Sequence, residues 1–162
     1  MLYAPLLRRL AWGYEADPDH RRDLLQEMHI ELWRILALFD QRCSFRTWVF
    51  RVANNVGVSH VIRRRRVEQR LVELETLDAE VASVDGAERA DSALLGAKLL
   101  ALIHKLKPLD RQIMLLYLEG EAAEEIADVA GLSATNVATK IHRIKRLLSR
   151  QSTEGAGYGT RV

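Results

Sequence analysis

The stretch from Asp23 to Arg66 constrains the fold more than any other part of the chain. It reads DLLQEMHIELWRILALFDQRCSFRTWVFRVANNVGVSHVIRRRR. Apolar residues recur at Leu24, Met28, Leu32, Ile35 and Phe39, the spacing of one face of a helix. A second series, Phe45, Trp48, Val49, Val52, Ala53 and Val56, does the same. The polar residues Asp40–Ser44 break the pattern between them. Ser44 is placed to cap the second helix, because its hydroxyl can accept from a free amide of the first turn. The expectation is an all-α fold.

The outward faces carry the functional information. Asp23, Gln26, Glu27, Ile30 and Trp33 share the side of the first helix away from its apolar stripe. The plain reading of Asp23, Gln26 and Glu27 is a solvated face, but an Ile and a Trp beside them are poorly explained by solvation. Trp33 has two readings of equal weight, a partner face and the core; Trp48 reads as core. On the second helix Arg51, Asn54, Asn55, Val58 and Ile62 line one side, followed by Arg63–Arg66. Taken alone, an arginine run is a solvated cluster. Behind a helix bearing asparagines it points to nucleic acid: arginine attracts phosphate, asparagine pairs with a base edge, and Phe50 or Trp48 can stack on a base.

Tyr3, Leu6, Leu7, Leu10, Ala11 and Tyr14 predict a packing helix from near Pro5, and Asp17-Pro18 predicts the cap and first turn of the next. Gly57 is a weak point in its helix, costing about 1 kcal/mol relative to alanine. From Val67 to about Asp91 the periodicity weakens. A helical beginning through Leu71 and Leu74 gives way to linker, and Asp85–Glu88 resembles the start of another helix. Leu95, Leu99, Leu102, Ile103 and Leu106 form a stripe that Pro108 ends at Lys107. Short helices follow over Asp110–Leu118 and Glu124–Ala130, with Gly120 and Gly131 as punctuation. Ser133 caps a long helix from Ala134 to about Arg150, with Val137, Ile141, Ile144 and Leu148 inward. This is the outline of a helix-turn-helix. Its second helix turns Thr135, Asn136, Thr139, Lys140 and Arg143 outward, short polar groups for base edges and cations for phosphates.

Charge divides the 162 residues into three parts. Residues 1–66 carry 12 Lys/Arg against 7 Asp/Glu, residues 67–97 carry 2 against 8, and residues 98–162 carry 10 against 7. Two basic parts flank an acidic connector, which favours a nucleic-acid partner. A single cysteine, Cys43, excludes an internal disulfide, and no zinc-type spacing exists. No signal pattern or long uncharged apolar run is present, so a cytoplasmic protein without membrane insertion is expected. The five histidines are scattered, outside any HExxH pattern, and no nucleophile elbow or phosphate loop is found. The chain reads as a non-enzyme with no metal and no cofactor.

The joint spacing of DLLQE, FRTW, the AxN of Ala53–Asn55 and the basic end resembles region two of bacterial sigma factors, closest to the extracytoplasmic-function branch. LDRQIMLLYLEGEAAEEIADVAGLSATNVATKIHRIKRLLSR resembles region four of the same family. Together they cover about Tyr3 to Arg150. The resemblance implies a region two domain over 1–66, a linker over 67–93 and a region four domain over 94–150; residues 151–162, with three glycines and no periodic pattern, read as a disordered tail. It also implies core RNA polymerase and promoter DNA as partners, with an anti-sigma factor. The polymerase clamp would take Asp23, Gln26, Glu27, Ile30 and Trp33. The −10 element would take Arg42, Ser44, Arg46, Phe50, Arg51, Asn54, Asn55, Arg63 and Arg64, with the loop Asp40–Ser44 helping to hold an unstacked base. The −35 element would take Ser133, Thr135, Asn136, Thr139, Lys140 and Arg143, and the second domain would also touch the polymerase flap. The linker would run near the RNA exit path. Ser59, Asn54, Ala138 and Ala122-Ala123 depart from the usual residues, which bears on the promoter sequence and not on the fold. The alternatives are a helix-turn-helix regulator that binds duplex DNA without polymerase, and an interaction protein whose basic faces hold an acidic partner.

Overall fold

The computed structural model describes residues 3–75 and 91–154, and every regular element among them is helical. They are α1 (Ala4–Tyr14), α2 (Pro18–Ile35), α3 (Phe45–Glu75), α4 (Asp91–His104), α5 (Pro108–Leu118), α6 (Ala123–Ala130) and α7 (Ala134–Glu154); one 3-10 turn, Leu36–Leu38, extends α2.

Local chemistry sets most of the boundaries. The Asp17 carboxylate accepts from the amides of Asp19 and His20, with Pro18 in the first turn. Ser44 Oγ accepts from the Thr47 amide at 3.0 Å and so opens α3. Lys107 is extended ahead of Pro108, which ends one helix and starts the next. Gly131 closes α6 at φ 69°, and Ser133 accepts from the Asn136 amide at 3.2 Å to open α7. Phe39 falls outside the helix expected to carry it, because α2 tightens at Leu36 and then ends. α3 runs past the expected boundary at Arg66 to Glu75. The capping arrangement expected at Asp85–Glu88 and the tail beyond Glu154 lie outside the described residues, as does the centre of the linker.

The first half buries Leu10, Leu24, Met28, Phe50 and Ala53 where α1 and α2 lie against α3. The second half buries Ile113, Leu116, Ile126, Val137 and Ile144 among α5, α6 and α7. The halves then share a seam: α3 packs on α5 and α6, and α1 on α4 and α5. Two glycines make room for this packing. A Cβ on Gly13 would lie 2.2 Å from Leu115 Cδ2, so Gly13 lets the second half sit directly on α1. A Cβ on Gly57 would lie 2.4 Å from the Tyr14 ring. Gly57 therefore admits Tyr14 to the core, a benefit that sets its helix cost in context.

Polar groups stitch the seam. Arg9 forms a bidentate pair with Glu119, at 2.7 and 2.8 Å. Arg46 pairs with Glu121 at 2.8 Å. Arg65 donates to the Leu106 carbonyl at 2.9 Å, and Arg111 donates to the carbonyls of Tyr14 and His104.

Candidate nucleic-acid interface

The outward face of α2 is as expected from its spacing. Trp33 is 81% exposed and Ile30 57%, with Asp23 and Gln26 also exposed and Glu27 half-buried. Of the two readings of Trp33, the core is excluded. Ile30 and Trp33 border an apolar cleft of about 500 Å³ that Leu7, Leu32, Leu36 and Phe45 also line. An uncovered tryptophan and isoleucine beside such a cleft make an exposed apolar patch, a feature that marks interaction sites in proteins generally.

The loop Asp40–Ser44 is held from behind by rings. Phe39 packs edge-on to Phe45 at 5.3 Å and tilted to Trp48 at 5.4 Å between centroids. Trp48 is buried, as expected of a core residue. Gln41 adopts φ 60°, an uncommon left-handed conformation for a non-glycine residue. The Asp40 carboxylate accepts from the Arg42 amide at 3.2 Å and pairs with its guanidinium at 2.6 Å. Beside the loop lies a cavity of about 540 Å³, lined among others by Asp40, Arg51, Asn55, Ser59 and Arg63. Arg51 Nε is buried there without a hydrogen-bond partner. The cavity thus gathers an amide and two guanidiniums around a space larger than a nucleobase.

Several expected DNA contacts are placed elsewhere. Asn54, expected outward, is fully buried: its amide donates to the Phe50 carbonyl at 2.8 Å, and its Oδ1 accepts from the Tyr14 hydroxyl at 2.6 Å. Phe50, expected to stack on a base, is fully buried beneath Arg46, whose guanidinium lies 5.0 Å from its ring. Both share a face of α3 that α1 and the second half cover, so its buried arc is wider than the apolar spacing indicated. Arg46 is engaged by Glu121, and Ser44 is committed to its cap. Arg64 is half-buried beside Glu15 and Glu68. Arg63 pairs with Glu27 at 2.6 Å, joining an expected DNA residue to an expected polymerase residue. Arg42 and Asn55 remain exposed.

On α7, Thr135, Asn136, Thr139 and Arg143 are exposed, and Thr139 folds its hydroxyl back onto the Thr135 carbonyl at 2.9 Å. Lys140 is the correction. It is half-buried and bonded to Asp110 Oδ1 at 3.0 Å, while Arg143 takes Asp110 Oδ2 at 3.0 Å. Asp110 is itself buried in the first turn of α5. One carboxylate therefore holds both cations expected to meet phosphate.

Sequence spacing alone does not reveal the buried pair of Glu15 and His60, where His60 Nε2 donates to Glu15 Oε2 at 2.8 Å. Burial raises the Glu15 pKa, but bonds from His60 and the Asp17 amide, with the field of Arg64, leave it below the usual carboxylate value. Burial and the nearby Arg65 lower the Arg111 guanidinium to about 10. Among the described residues no group of three or more His, Cys, Asp or Glu side chains is placed to hold a metal ion. No described helix is long and apolar enough to cross a membrane.

Comparison with known proteins places each half. Residues 1–67 match the family model for Sigma-70 region 2, and residues 96–148 match Sigma-70, region 4. The ECF RNA polymerase sigma factor SigW of Bacillus subtilis is 25% identical over 93% of this chain and 84% of its own length. The RNA polymerase sigma-H factor of Pseudomonas aeruginosa is 28% identical over 83% of this chain and 74% of its own. Among solved structures, the sigma factor RpoE in complex with the anti-sigma factor NepR from Bartonella quintana has a TM-score of 0.69 at 18% identity, covering 92% of this chain and 91% of that one. CnrH in complex with the cytosolic domain of CnrY has a TM-score of 0.64 at 22% identity, covering 94% and 83%. The chain belongs to the sigma-70 family, whose members direct RNA polymerase to promoters. Within that family it is an extracytoplasmic-function sigma factor.

Proposed function

We propose that this sigma factor docks on core polymerase through the exposed face of α2, acts in the cytoplasm without catalysing a reaction of its own, and reads promoter DNA at two separated places. The observation that carries the reading is Trp33, 81% exposed beside exposed Ile30. A regulator that only binds duplex DNA has no use for that face. The cavity beside the loop Asp40–Ser44 holds a base drawn out of the −10 element, with Asn55 on its edge and Arg51 and Arg63 toward the backbone. Taking a base out of the stack costs a few kcal/mol, which such a pocket offsets. α7 lies in the major groove of the −35 element, with Thr135, Asn136 and Thr139 toward base edges and Arg143 toward phosphate. A cognate anti-sigma factor is a further partner on this reading.

The two promoter elements are 25 base pairs apart by name, about 85 Å of duplex at 3.4 Å per step. A compact chain of this length has a radius of gyration of about 15 Å. The packed halves cannot reach both elements, so the seam opens on the promoter. A pull-down with core polymerase tests the docking face. The Gln26→Ala, Trp33→Ala double variant, with unchanged helicity, is expected to lose polymerase and run-off transcription together. Unchanged affinity would remove the assignment and return the duplex-only regulator to first place.

A further inference from the structure

At the centre of the seam lies a polar cavity of about 210 Å³. Tyr14 and Glu15 line it from the end of α1, His60, Arg64 and Arg65 from α3, and His104 and Arg111 from the second half. Its charges do not balance. Glu15 is already engaged by His60 at 2.8 Å, by the Asp17 amide at 3.0 Å and by Arg64 at 3.5 Å. Glu68, also on the wall, lies 3.6 Å from Arg64. Both acids contact Arg64, and Glu15 reaches Arg111 only through its field. Arg65 and Arg111 have no carboxylate within 4.0 Å among the described residues and donate only to carbonyls. Arg111 is 5% exposed, and its Nε has no hydrogen-bond partner.

A buried guanidinium without a counter-ion is expensive, and proteins normally pair such a charge. Arginine presents a planar fork suited to two oxygens of one tetrahedral oxyanion. The groups are also divided between the halves. Arg65 belongs to the first, Arg111 to the second, and only the closed seam brings them to one cavity. The depressed Arg111 pKa has burial as its largest cause and repulsion from Arg65 next, the sign an anion would reverse.

We infer that the seam cavity is a binding site for a small phosphate-class oxyanion, held by Arg65 and Arg111, which stabilises the closed arrangement of the two halves. A ligand that binds only the closed form draws the population toward it in proportion to its occupancy. For a sigma factor acting by the reading above, the consequence is a chain less able to reach both promoter elements. The site itself does not depend on that reading.

The test uses the full chain, free of polymerase and DNA, titrated calorimetrically with inorganic phosphate, with pyrophosphate and with ADP at constant ionic strength made up with chloride. The expected result is saturable binding of one anion per chain, a higher melting temperature and no loss of compactness by small-angle scattering. Arg65→Gln is expected to weaken binding by about tenfold, the loss of one charge-assisted bond. Arg66→Gln, an exposed neighbour outside the cavity wall, should leave it unchanged. Arg111→Gln should weaken it further; if that variant does not fold, Arg65→Gln carries the test. ADP binding as tightly as pyrophosphate assigns the site to a nucleotide's phosphates, and pyrophosphate or phosphate alone assigns it to the free anion; both support the inference. It is overturned by the absence of saturable binding at millimolar concentrations, by equal displacement with chloride, or by unchanged binding in Arg65→Gln. Failure here leaves the polymerase pull-down untouched.

Discussion

Arg46 reaches across the seam to Glu121, 75 positions away, and its Nη2 lies 2.8 Å from a carboxylate whose side chain is 6% exposed. The same guanidinium covers the Phe50 ring. A side chain expected to meet the −10 element is thus spent on holding the other DNA-binding half.

That pairing predicts a trade. Arg46→Ala should cost about 1 kcal/mol, because the guanidinium is half exposed and solvent screens the pair. It should also raise the open population, read as a larger radius of gyration in solution. Glu121→Gln should open the seam to a similar degree, and the double variant should add little to either. Full additivity in the double-mutant cycle would show that the two side chains are not coupled.

Asn54 and Asn55 separate packing from recognition within two positions. Asn54 is buried and bonded to Tyr14 and Phe50, so Asn54→Ala leaves a buried hydroxyl without its acceptor. The expected cost is about 1–3 kcal/mol in urea unfolding. Asn55 is exposed on the cavity beside the loop. Asn55→Ala should leave stability and duplex binding by the holoenzyme intact, while permanganate reactivity of unpaired thymines falls. A pre-melted template should restore part of that loss. Normal melting by Asn55→Ala would return Asn55 to the solvated face.

The difference between these two residues marks what the sequence could show. Caps were legible because they are local: Asp17, Ser44 and Ser133 act on amides two or three positions ahead. Gly131 was legible because the turn after α6 needs a left-handed residue. The α2 face was legible because one side of that helix is free. α3 was misread because α1 and the second half cover it together, so Phe50, Asn54 and Arg46 turn into contacts made by residues far along the chain. The pairing of Glu15 with His60 spans 45 positions and leaves no mark in the spacing. Lys140 was misread for the same reason, since its partner belongs to another helix.

His104 predicts an acid-sensitive seam. Burial lowers its pKa more than the bond to the Trp12 carbonyl raises it. Arg111 and Arg21 push it the same way as burial, and Glu15 opposes them. The neutral ring is therefore favoured in the folded chain. Its contribution to stability is present above the ordinary histidine value of about 6.5 and is lost as pH falls from there through the depressed value. Melting temperature should drop over that interval, and His104→Gln should flatten this part of the profile. An unchanged slope in His104→Gln would assign the acid sensitivity to another group.

Asp110 predicts that discrimination at the −35 element is set partly from outside the recognition helix. Its carboxylate takes Lys140 and Arg143 on its two oxygens, each at 3.0 Å. It lies in the first turn of α5, where the helix dipole also favours an anion. Both cations are thereby fixed in place and partly neutralised, and a fixed cation meets phosphate in one register only. Asp110→Asn keeps the shape and removes the charge. Freed from it, Lys140 and Arg143 should attract any duplex. Affinity for unrelated sequences should rise, and the dependence of binding on salt should steepen by up to about two ions. Base preference, which we propose Asn136 and Thr139 carry, should weaken because the helix is no longer held to one depth. Arg143→Ala should lower affinity for all sequences, and Lys140→Ala should lower it less, since Lys140 is half-buried against α5. Fluorescence anisotropy across a salt series, on a promoter and on a scrambled duplex, measures all of these. A salt slope in Asp110→Asn equal to that of the parent would show that the carboxylate does not restrain the two cations on DNA. Equal losses for Lys140→Ala and Arg143→Ala would show that Lys140 leaves Asp110 when DNA arrives.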